Sequence, residues 1–471
     1  MLVLCSSNSA FGRTTTLSGS VSMGQEYDSN IFRMDTDHEE RWTSSLLPTL
    51  TLLSESEKDV FSFIADSDLQ WDQTRDERDF EHNLSLSGTR ELSKYLRITI
   101  GNDYQYNDGS PESDMDDAPT IQDRFARASE YQREQVARLL FPEIEYSDEE
   151  YYIYCLSQVA GRYNDASSSV QAQVLNILSD SDQSRRSWEN EFSFSVAFEY
   201  YRDSIVEVGW RYFVRDDREG YAEDYAENSP YVSLTYRFNS EWRGLMRYEL
   251  TETDNEDTDD ETRNMTELGL EHNLTTADLL RVNYQYESIA YDEDRDDWNE
   301  QIIEFGWDHQ FGPHMALNTA LETNYRDLDE LSDERGVELS LGVSRTFQRG
   351  SASVEGNMAF DERKDSGDWD KYRREMRIRG VGSYQLLEDL TGNVNFSYEK
   401  RYDWLGTGSE KATYDDYEAG AGLSWSFGQW YALSLNYMYE RLDADNSAVS
   451  DYFEHTVMLR LTASKDLLKW N

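Results

Sequence analysis

Strict alternation of apolar and polar residues is the feature that most constrains the fold of this chain. In the segment 431–440 (YALSLNYMYE), the odd-numbered residues are aromatic or aliphatic, and the even-numbered ones are mostly small or polar. A period of two residues indicates a β-strand whose two faces meet different surroundings. The apolar face would contact a core in a soluble protein, whereas it would contact lipid in an outer-membrane barrel.

The composition is that of a folded but strongly acidic chain. Its 471 residues carry a formal net charge of −50, which argues against a nucleic-acid partner because nucleic acid requires a basic surface. Aromatic residues make up 13% of the chain, whereas disordered acidic chains contain few aromatics. No apolar run approaches the roughly 20 residues of a membrane helix, so a helical membrane protein is excluded and a barrel is not.

The alternating segments are arranged as hairpins, with a tight turn at one end and a longer acidic loop at the other. The turns expected from the sequence are Glu55–Asp59, Arg90–Lys94, Ser147–Glu150, Tyr201–Ser204, Phe238–Glu241, Thr275–Asp278, Phe311–His314, Gln348–Ser351, Leu387–Asp389 and Phe427–Trp430. Ten turns and eleven longer loops give about 22 strands, within a range of 18–22. Short turns at one end and long loops at the other are typical of outer-membrane barrels. We therefore predict an all-β fold, a transmembrane antiparallel up-and-down β-barrel in the Gram-negative outer membrane. Its partners would be outer-membrane lipid, lipopolysaccharide and the barrel-insertion machinery.

A soluble all-β protein is the alternative to a barrel, because alternation alone fits both. Three features favour the barrel. The apolar runs span about ten residues, the length that a tilted strand needs to cross hydrocarbon. Aromatic residues concentrate at the strand ends, as in interfacial girdles. The hairpins also follow one another without a linker that would separate compact sandwich domains.

The ends of the chain and its longest loops complete the predicted organisation. Residues 1–12 are interpreted as the remnant of a truncated signal peptide, and 13–471 as a single barrel. Since only about a dozen residues precede the first strand, we expect no separate plug domain. The acidic segments 107–131 and 164–187 are predicted to be extracellular loops that are partly helical.

The first hairpin carries a more specific pattern. It reads GQEYDSNIFRMDTDHEERWTSSLLPTLTL (Gly24–Leu52), with a Tyr-Asp-x-Asn-Ile-Phe element, an acidic loop and a Leu-x-Pro-x-Leu strand. This hairpin resembles the outer-membrane β-barrel porins of Gram-negative exopolysaccharide loci. The resemblance implies a role in passing a glycan cargo, together with a periplasmic polysaccharide-export protein.

The polar face of the strands supplies the candidate lumen-lining residues. They are Arg211, Arg215, Arg243, Arg247, Arg281, Arg373, Arg377, Arg379, Glu207, Glu249, Glu304, Glu322, Glu355, Glu399 and Glu440. Opposed charges of this kind set ion selectivity in channels. They can also offer many weak hydrogen bonds to a sugar, or simply neutralise one another in a wet interior.

One loop has the spacing of an apolar helix. Val170, Val174, Ile177 and Leu178 recur at i, i+4, i+7 and i+8. An apolar helix in an extracellular loop is expected either to fold into the mouth of the barrel and constrict it or to pack on its outer rim. A wide barrel without a plug would leak unless its loops closed it.

Motifs of enzymes and metal sites are missing from the sequence. It contains no P-loop, nucleophile elbow, His-Glu-x-x-His or Cys-x-x-Cys pattern, so we predict no enzyme activity, catalytic residue, metal site or cofactor. The function expected from these observations is a passive conduit for exopolysaccharide export. A general or cation-preferring diffusion porin is the alternative, and a barrel enzyme or adhesin is a remote one.

Overall fold

The computed structural model describes most of the chain in two compact units. The described residues are 12–30, 40–74, 77–109, 121, 125, 130–141, 155, 158–163, 166, 170, 174, 185–217, 224–255, 259–292, 297–328, 334–365, 369–405, 411–444 and 451–470. The first unit comprises 1–106, 188–216 and 223–471, and the second comprises 107–187 and 217–222. The segment 1–11, which contains most of the expected signal-peptide remnant, lies outside the described residues.

Twenty strands and one complete helix make up the described secondary structure. The strands are β1 (Thr14–Asp28), β2 (Arg41–Glu55), β3 (Asp59–Asp72), β4 (Glu77–Ser93), β5 (Leu96–Gly109), β6 (Arg185–Tyr201), β7 (Ser204–Asp217), β8 (Tyr225–Arg237), β9 (Trp242–Asn255), β10 (Glu261–Asn273), β11 (Asp278–Tyr291), β12 (Trp298–Gly312), β13 (Met315–Leu328), β14 (Glu334–Phe347), β15 (Gly350–Asp365), β16 (Trp369–Gln385), β17 (Leu390–Leu405), β18 (Lys411–Phe427), β19 (Tyr431–Ala444) and β20 (Tyr452–Trp470). The helix α1 is Glu130–Leu140. No helix among the described residues is long and apolar enough to cross a membrane.

The strands form one closed antiparallel sheet. Neighbours in the chain pair with each other, as β1 does with β2 and β19 does with β20. The sheet closes where β1 also pairs with β20, so that Val21 lies opposite both Pro48 of β2 and Ala463 of β20. Between β5 and β6, the side-chain amide of Asn102 donates to the carbonyl oxygen of Glu191 at 3.0 Å. The predicted fold class, an all-β antiparallel up-and-down barrel, is confirmed.

The short turns explain how the sheet reaches twenty strands instead of twenty-two. Nine of the ten turns expected from the sequence connect successive strands at, or within three residues of, the predicted positions. In one of them the Ser56 amide donates to the carbonyl oxygen of Asp59 at 2.8 Å. The tenth, Ser147–Glu150, lies outside the described residues, and Cys155 and residues 158–163 beyond it are helical. Among the described residues, no strand lies between β5 and β6.

The second unit has a small apolar core of its own. Val136 and Leu140 of α1 lie one helical turn apart and are buried with Phe125, Cys155 and Val159. The Phe141 amide donates to the carbonyl oxygen of Ala137 at 2.8 Å, which extends the helical hydrogen bonding to the end of α1. Pro142 follows at once and cannot continue the helix, because proline lacks an amide hydrogen.

Candidate functional site

The two faces of each strand differ in chemistry, and β9 shows how. Met246 and Tyr248 leave 46% and 38% of their surface exposed on one face, as expected of side chains that meet lipid. Arg243, Arg247 and Glu249 alternate with them and form ion pairs on the other face. In a closed barrel, the ion-paired face is the wall of the lumen.

The structure places all of the predicted lumen-lining residues in strands, on this inward face. Most of their recorded contacts are ion pairs with inward side chains of the same or a neighbouring strand. Arg215 contacts Glu189, Arg243 contacts Glu271, Arg281 contacts Asp308, and Arg377 contacts both Glu375 and Glu399. Their role in transport stays a prediction.

Four of the predicted residues come together on the wall formed by β7, β8 and β9. Glu249 is the centre of this group, and its side chain is only 12% exposed. Arg247 donates to it through Nε at 3.1 Å. Arg211 approaches the same carboxylate at 3.6 Å and that of Glu227 at 3.8 Å, beyond hydrogen-bond distance, and is 41% exposed. Arg247 is therefore held in place, whereas Arg211 is the guanidinium that can exchange its partners for a ligand.

Tyr231 belongs to the same group but is absent from the residues selected from the sequence. Its hydroxyl donates to the carboxylate of Glu207 at 2.8 Å, and the Arg247 guanidinium lies 4.6 Å from the centroid of its ring. Gly209 lies opposite Tyr231 across the β7–β8 pair. A Cβ at Gly209 would lie 2.3 Å from the ring, so only glycine lets the ring lie flat on the wall.

We call Glu207, Arg211, Tyr231, Arg247 and Glu249 the wall cluster. Sequence parity could have found Tyr231, because in β8 it alternates with Val232 and Leu234 and shares a face with Ser233. Chemically, the cluster combines an aromatic ring, a loosely held guanidinium and fixed carboxylates. Such a surface can stack on an aromatic ligand and can bind an anionic oxygen.

Elsewhere on the wall, carboxylates lie directly opposite one another. Glu322 of β13 lies between Glu304 of β12 and Glu338 of β14. The Asn357 amide donates to Glu338 at 3.2 Å, and Glu322 has further interactions. Like charges at directly opposed positions repel each other, so this row concentrates negative potential in the lumen. Within the part of the chain that the structure describes, no group of acidic, histidine or cysteine side chains has a geometry that could hold a metal ion.

Two of the predicted constriction residues lie in the core of the second unit. Val174 is fully buried, and Val170 packs against the same cluster. Ile177 and Leu178 lie outside the described residues. Constriction of the pore by this segment stays a prediction.

At the short-turn end, Asp278, the first residue of β11, links a turn to the next strand pair. Its carboxylate accepts a hydrogen bond from the Thr275 hydroxyl at 2.6 Å and lies 2.6 Å from His309 Nδ1.

Comparison with known proteins rests on structure alone. No family model matches the chain. No curated protein matches it in sequence. Among solved structures, the siderophore receptor PirA from Pseudomonas aeruginosa matches with a TM-score of 0.54 and 8% identity, over 96% of this chain and 80% of that one. This likeness shows the fold of the chain, a closed antiparallel β-barrel.

Other solved receptors resemble the barrel to the same degree. The ferric enterobactin receptor PfeA from P. aeruginosa, in complex with enterobactin, matches with a TM-score of 0.53 and 10% identity, over 96% of this chain and 81% of that one. The FrpB iron transporter from Neisseria meningitidis matches with a TM-score of 0.54 and 8% identity, over 95% and 81%. These neighbours are siderophore receptors and an iron transporter.

The comparison corrects the predicted function. A passive conduit for exopolysaccharide, with a glycan cargo and a periplasmic export protein, is wrong, and so is a general diffusion porin, because the structural neighbours are siderophore and iron receptors. The misleading pattern covered only the hairpin Gly24–Leu52. In the structure, the strands of that hairpin form an ordinary antiparallel pair, β1 with β2, of the kind that recurs around the whole sheet.

Proposed function

We propose that the barrel takes up a specific ligand across the outer membrane, and that this ligand is a ferric siderophore. The observation that carries the proposal is the likeness to siderophore receptors and an iron transporter over 95–96% of the chain. The twenty strands also exceed the 16–18 of porins that leave an open aqueous channel.

The wall cluster supplies the chemistry for contact with such a ligand. A ferric chelate presents anionic oxygen atoms around the metal, and its organic scaffold is often aromatic. Arg211 can bind an anionic oxygen because its present contacts with carboxylates are long, at 3.6 and 3.8 Å. The ring of Tyr231, fixed by Arg247 and Glu207, offers a flat surface beside it.

The carboxylates of the wall set a limit on the charge of the ligand. The row that includes Glu304, Glu322 and Glu338 repels a highly anionic chelate. A ligand with both anionic and cationic or neutral groups suits this lumen better than a compact polyanion.

Equilibrium binding to the purified barrel tests the proposal. A panel of ferric siderophores of differing charge would be titrated against the wild type, Arg211→Gln and Arg263→Gln. Arg263 is a matched control because it is also inward and partly exposed, but it forms an ion pair with Glu287 at 3.0 Å on a different strand pair. We expect one chelate to bind the wild type, Arg211→Gln to weaken binding about tenfold and Arg263→Gln to leave it unchanged. A tenfold loss corresponds to about 1.4 kcal/mol, the scale of one charge-assisted contact.

The opposite pattern would contradict the proposal. Absence of binding for every chelate in the panel would remove the proposed ligand class. Equal weakening by both variants would mean that the lumen acts through its overall charge and not through the wall cluster.

A further inference from the structure

A groove crosses the lipid-facing side of the barrel where the sheet closes. It runs over β20, β1, β2, β3 and β4 and has a volume of about 760 Å³. The floor consists of small residues at outward positions, among them Gly19, Pro48, Ala65 and Ala463. Larger residues such as Leu84 and Leu467 line the groove beside this floor.

The dimensions of the groove suit a fatty-acyl chain. Four inter-strand spacings separate β20 from β4, which gives a length of roughly 19 Å. This is comparable with one extended acyl chain. At the β4 end, Ser67 Oγ lies 2.6 Å from His82 Nδ1, so these two polar groups satisfy each other. The lining also includes Asp66, whose carboxylate accepts a hydrogen bond from the Asn83 amide at 3.2 Å.

The other end of the groove carries a positive charge. Lys465 lines it at the short-turn end, with its Nζ atom 4.3 Å from the centroid of the Trp430 ring. No ion pair joins Lys465 to a carboxylate in the described ranges, and Asp466 lies on the opposite face of β20, where it accepts a hydrogen bond from Ser18. The chain has 44 lysine and arginine residues against 94 acidic residues, and only 8 of the 44 are lysine.

We propose that this groove binds a glycerophospholipid, with the phosphate at Lys465 and one acyl chain along the small-residue floor. The charge of Lys465 complements an anionic phosphate, and Trp430 places that contact at the membrane interface, where tryptophan is enriched. The small residues leave the space that the acyl chain fills, since a bilayer-facing void would otherwise lose its dispersion contacts.

A second outward groove provides an internal comparison. It has a volume of about 620 Å³ over β14–β19, and its lining includes Ala352, Gly382, Gly392 and Ala421. It is as apolar as the first groove, but none of the described residues that line it is a lysine or an arginine. It can accept hydrocarbon but offers no charge to a phosphate.

Retention of lipid by the purified barrel, measured by native mass spectrometry, tests the proposal. The probes are palmitoyl-oleoyl phosphatidylglycerol and the diacylglycerol with the same acyl chains. The variants are Ala65→Phe, which fills the floor, Lys465→Gln, which removes the charge, and Ala421→Phe, which fills the second groove. Heat-modifiable migration in gels would show that each variant is a folded barrel.

The wild type is expected to retain one phosphatidylglycerol and to release diacylglycerol. Ala65→Phe should abolish retention, and Ala421→Phe should leave it unchanged. Lys465→Gln should lower it about fivefold, which corresponds to the roughly 1 kcal/mol that one lysine contributes near an anionic lipid surface.

Three results would overturn the proposal. The first is equal retention by Ala65→Phe and the wild type. The second is equal retention of both lipids, which would reduce the groove to a nonspecific apolar surface. The third is a wild-type dimer that Ala65→Phe dissociates, which would make a second copy of the chain the occupant.

Discussion

The guanidinium of Arg247 lies 4.6 Å from the centre of the Tyr231 ring, and the same side chain donates to the carboxylate of Glu249. One cation thus joins an aromatic ring on β8 to an acid on β9. The ring is further fixed by the hydrogen bond from its hydroxyl to Glu207 on β7. The wall cluster is therefore a connected unit across three strands. A substitution of one of its residues should also change the contacts of the others.

Gly209 is expected to be essential to this unit. Gly209→Ala would place a Cβ 2.3 Å from the Tyr231 ring and force the ring off the wall. We expect a loss of about 1–3 kcal/mol in the free energy of unfolding, the usual cost of overpacking. Urea unfolding of the refolded barrel would measure it. Gly342→Ala is the control, because Gly342 is also an inward strand glycine. A Cβ added there would lie 4.0 Å from its nearest neighbour, the Cβ of Asn318. Equal effects of the two changes would show that Tyr231 does not occupy the space over Gly209.

The coupling between Arg247 and Tyr231 can be measured directly. A double-mutant cycle with Arg247→Gln and Tyr231→Leu should give an interaction energy of about 0.5–2 kcal/mol in unfolding experiments, as expected of a cation over a ring. In a parallel cycle with Tyr231→Phe, the ring remains and the coupling should vanish. A coupling of the same size in both cycles would assign it to the hydroxyl group and not to the ring.

The core of the second unit should protect Cys155. This thiol is fully buried beside Val159 and Val174. In a background with Cys5→Ser, maleimide labelling of the folded protein should be slow, because labelling requires an accessible thiolate. Val174→Asp buries a charge in this core and should make labelling fast. Gly161→Ala, where a Cβ meets no atom within 4 Å, should leave the rate unchanged. Rapid labelling of the unsubstituted chain would mean that this core does not form.

Most of the fold could be predicted from the sequence because alternate residues of a barrel strand face two different environments and therefore differ in polarity. The alternation in 431–440 lies within β19. The short turns that connect the two strands of a hairpin contain residues suited to tight turns. The count was too high by one hairpin. The segment around Phe141 shows a short alternating pattern. In the structure, however, α1 lies before it and the helical residues 158–163 lie after it. Val136 and Leu140, spaced i and i+4 on α1, are buried with Val159 in one apolar core.

The site was less predictable than the fold. Parity placed Arg211, Arg247 and Glu249 on the inward face, but it carries no information on which inward residues meet across strands, because that depends on register. Tyr231 was overlooked because tyrosine is common on lipid-facing positions as well. The function was missed for a related reason, since a hairpin motif in β1 and β2 reports the architecture that many barrels share and not the ligand.

Uptake kinetics in cells test the central claim most directly. The chain would be expressed in a Gram-negative strain that lacks its own siderophore receptors, and accumulation of radiolabelled ferric siderophores would be followed as a function of concentration. Ligand-specific uptake predicts saturable accumulation of one chelate, inhibited by its unlabelled form and not by unrelated solutes of similar size, and reduced by Arg211→Gln. Accumulation that rises linearly with concentration for every solute small enough to pass would contradict this account and would identify the barrel as an open pore.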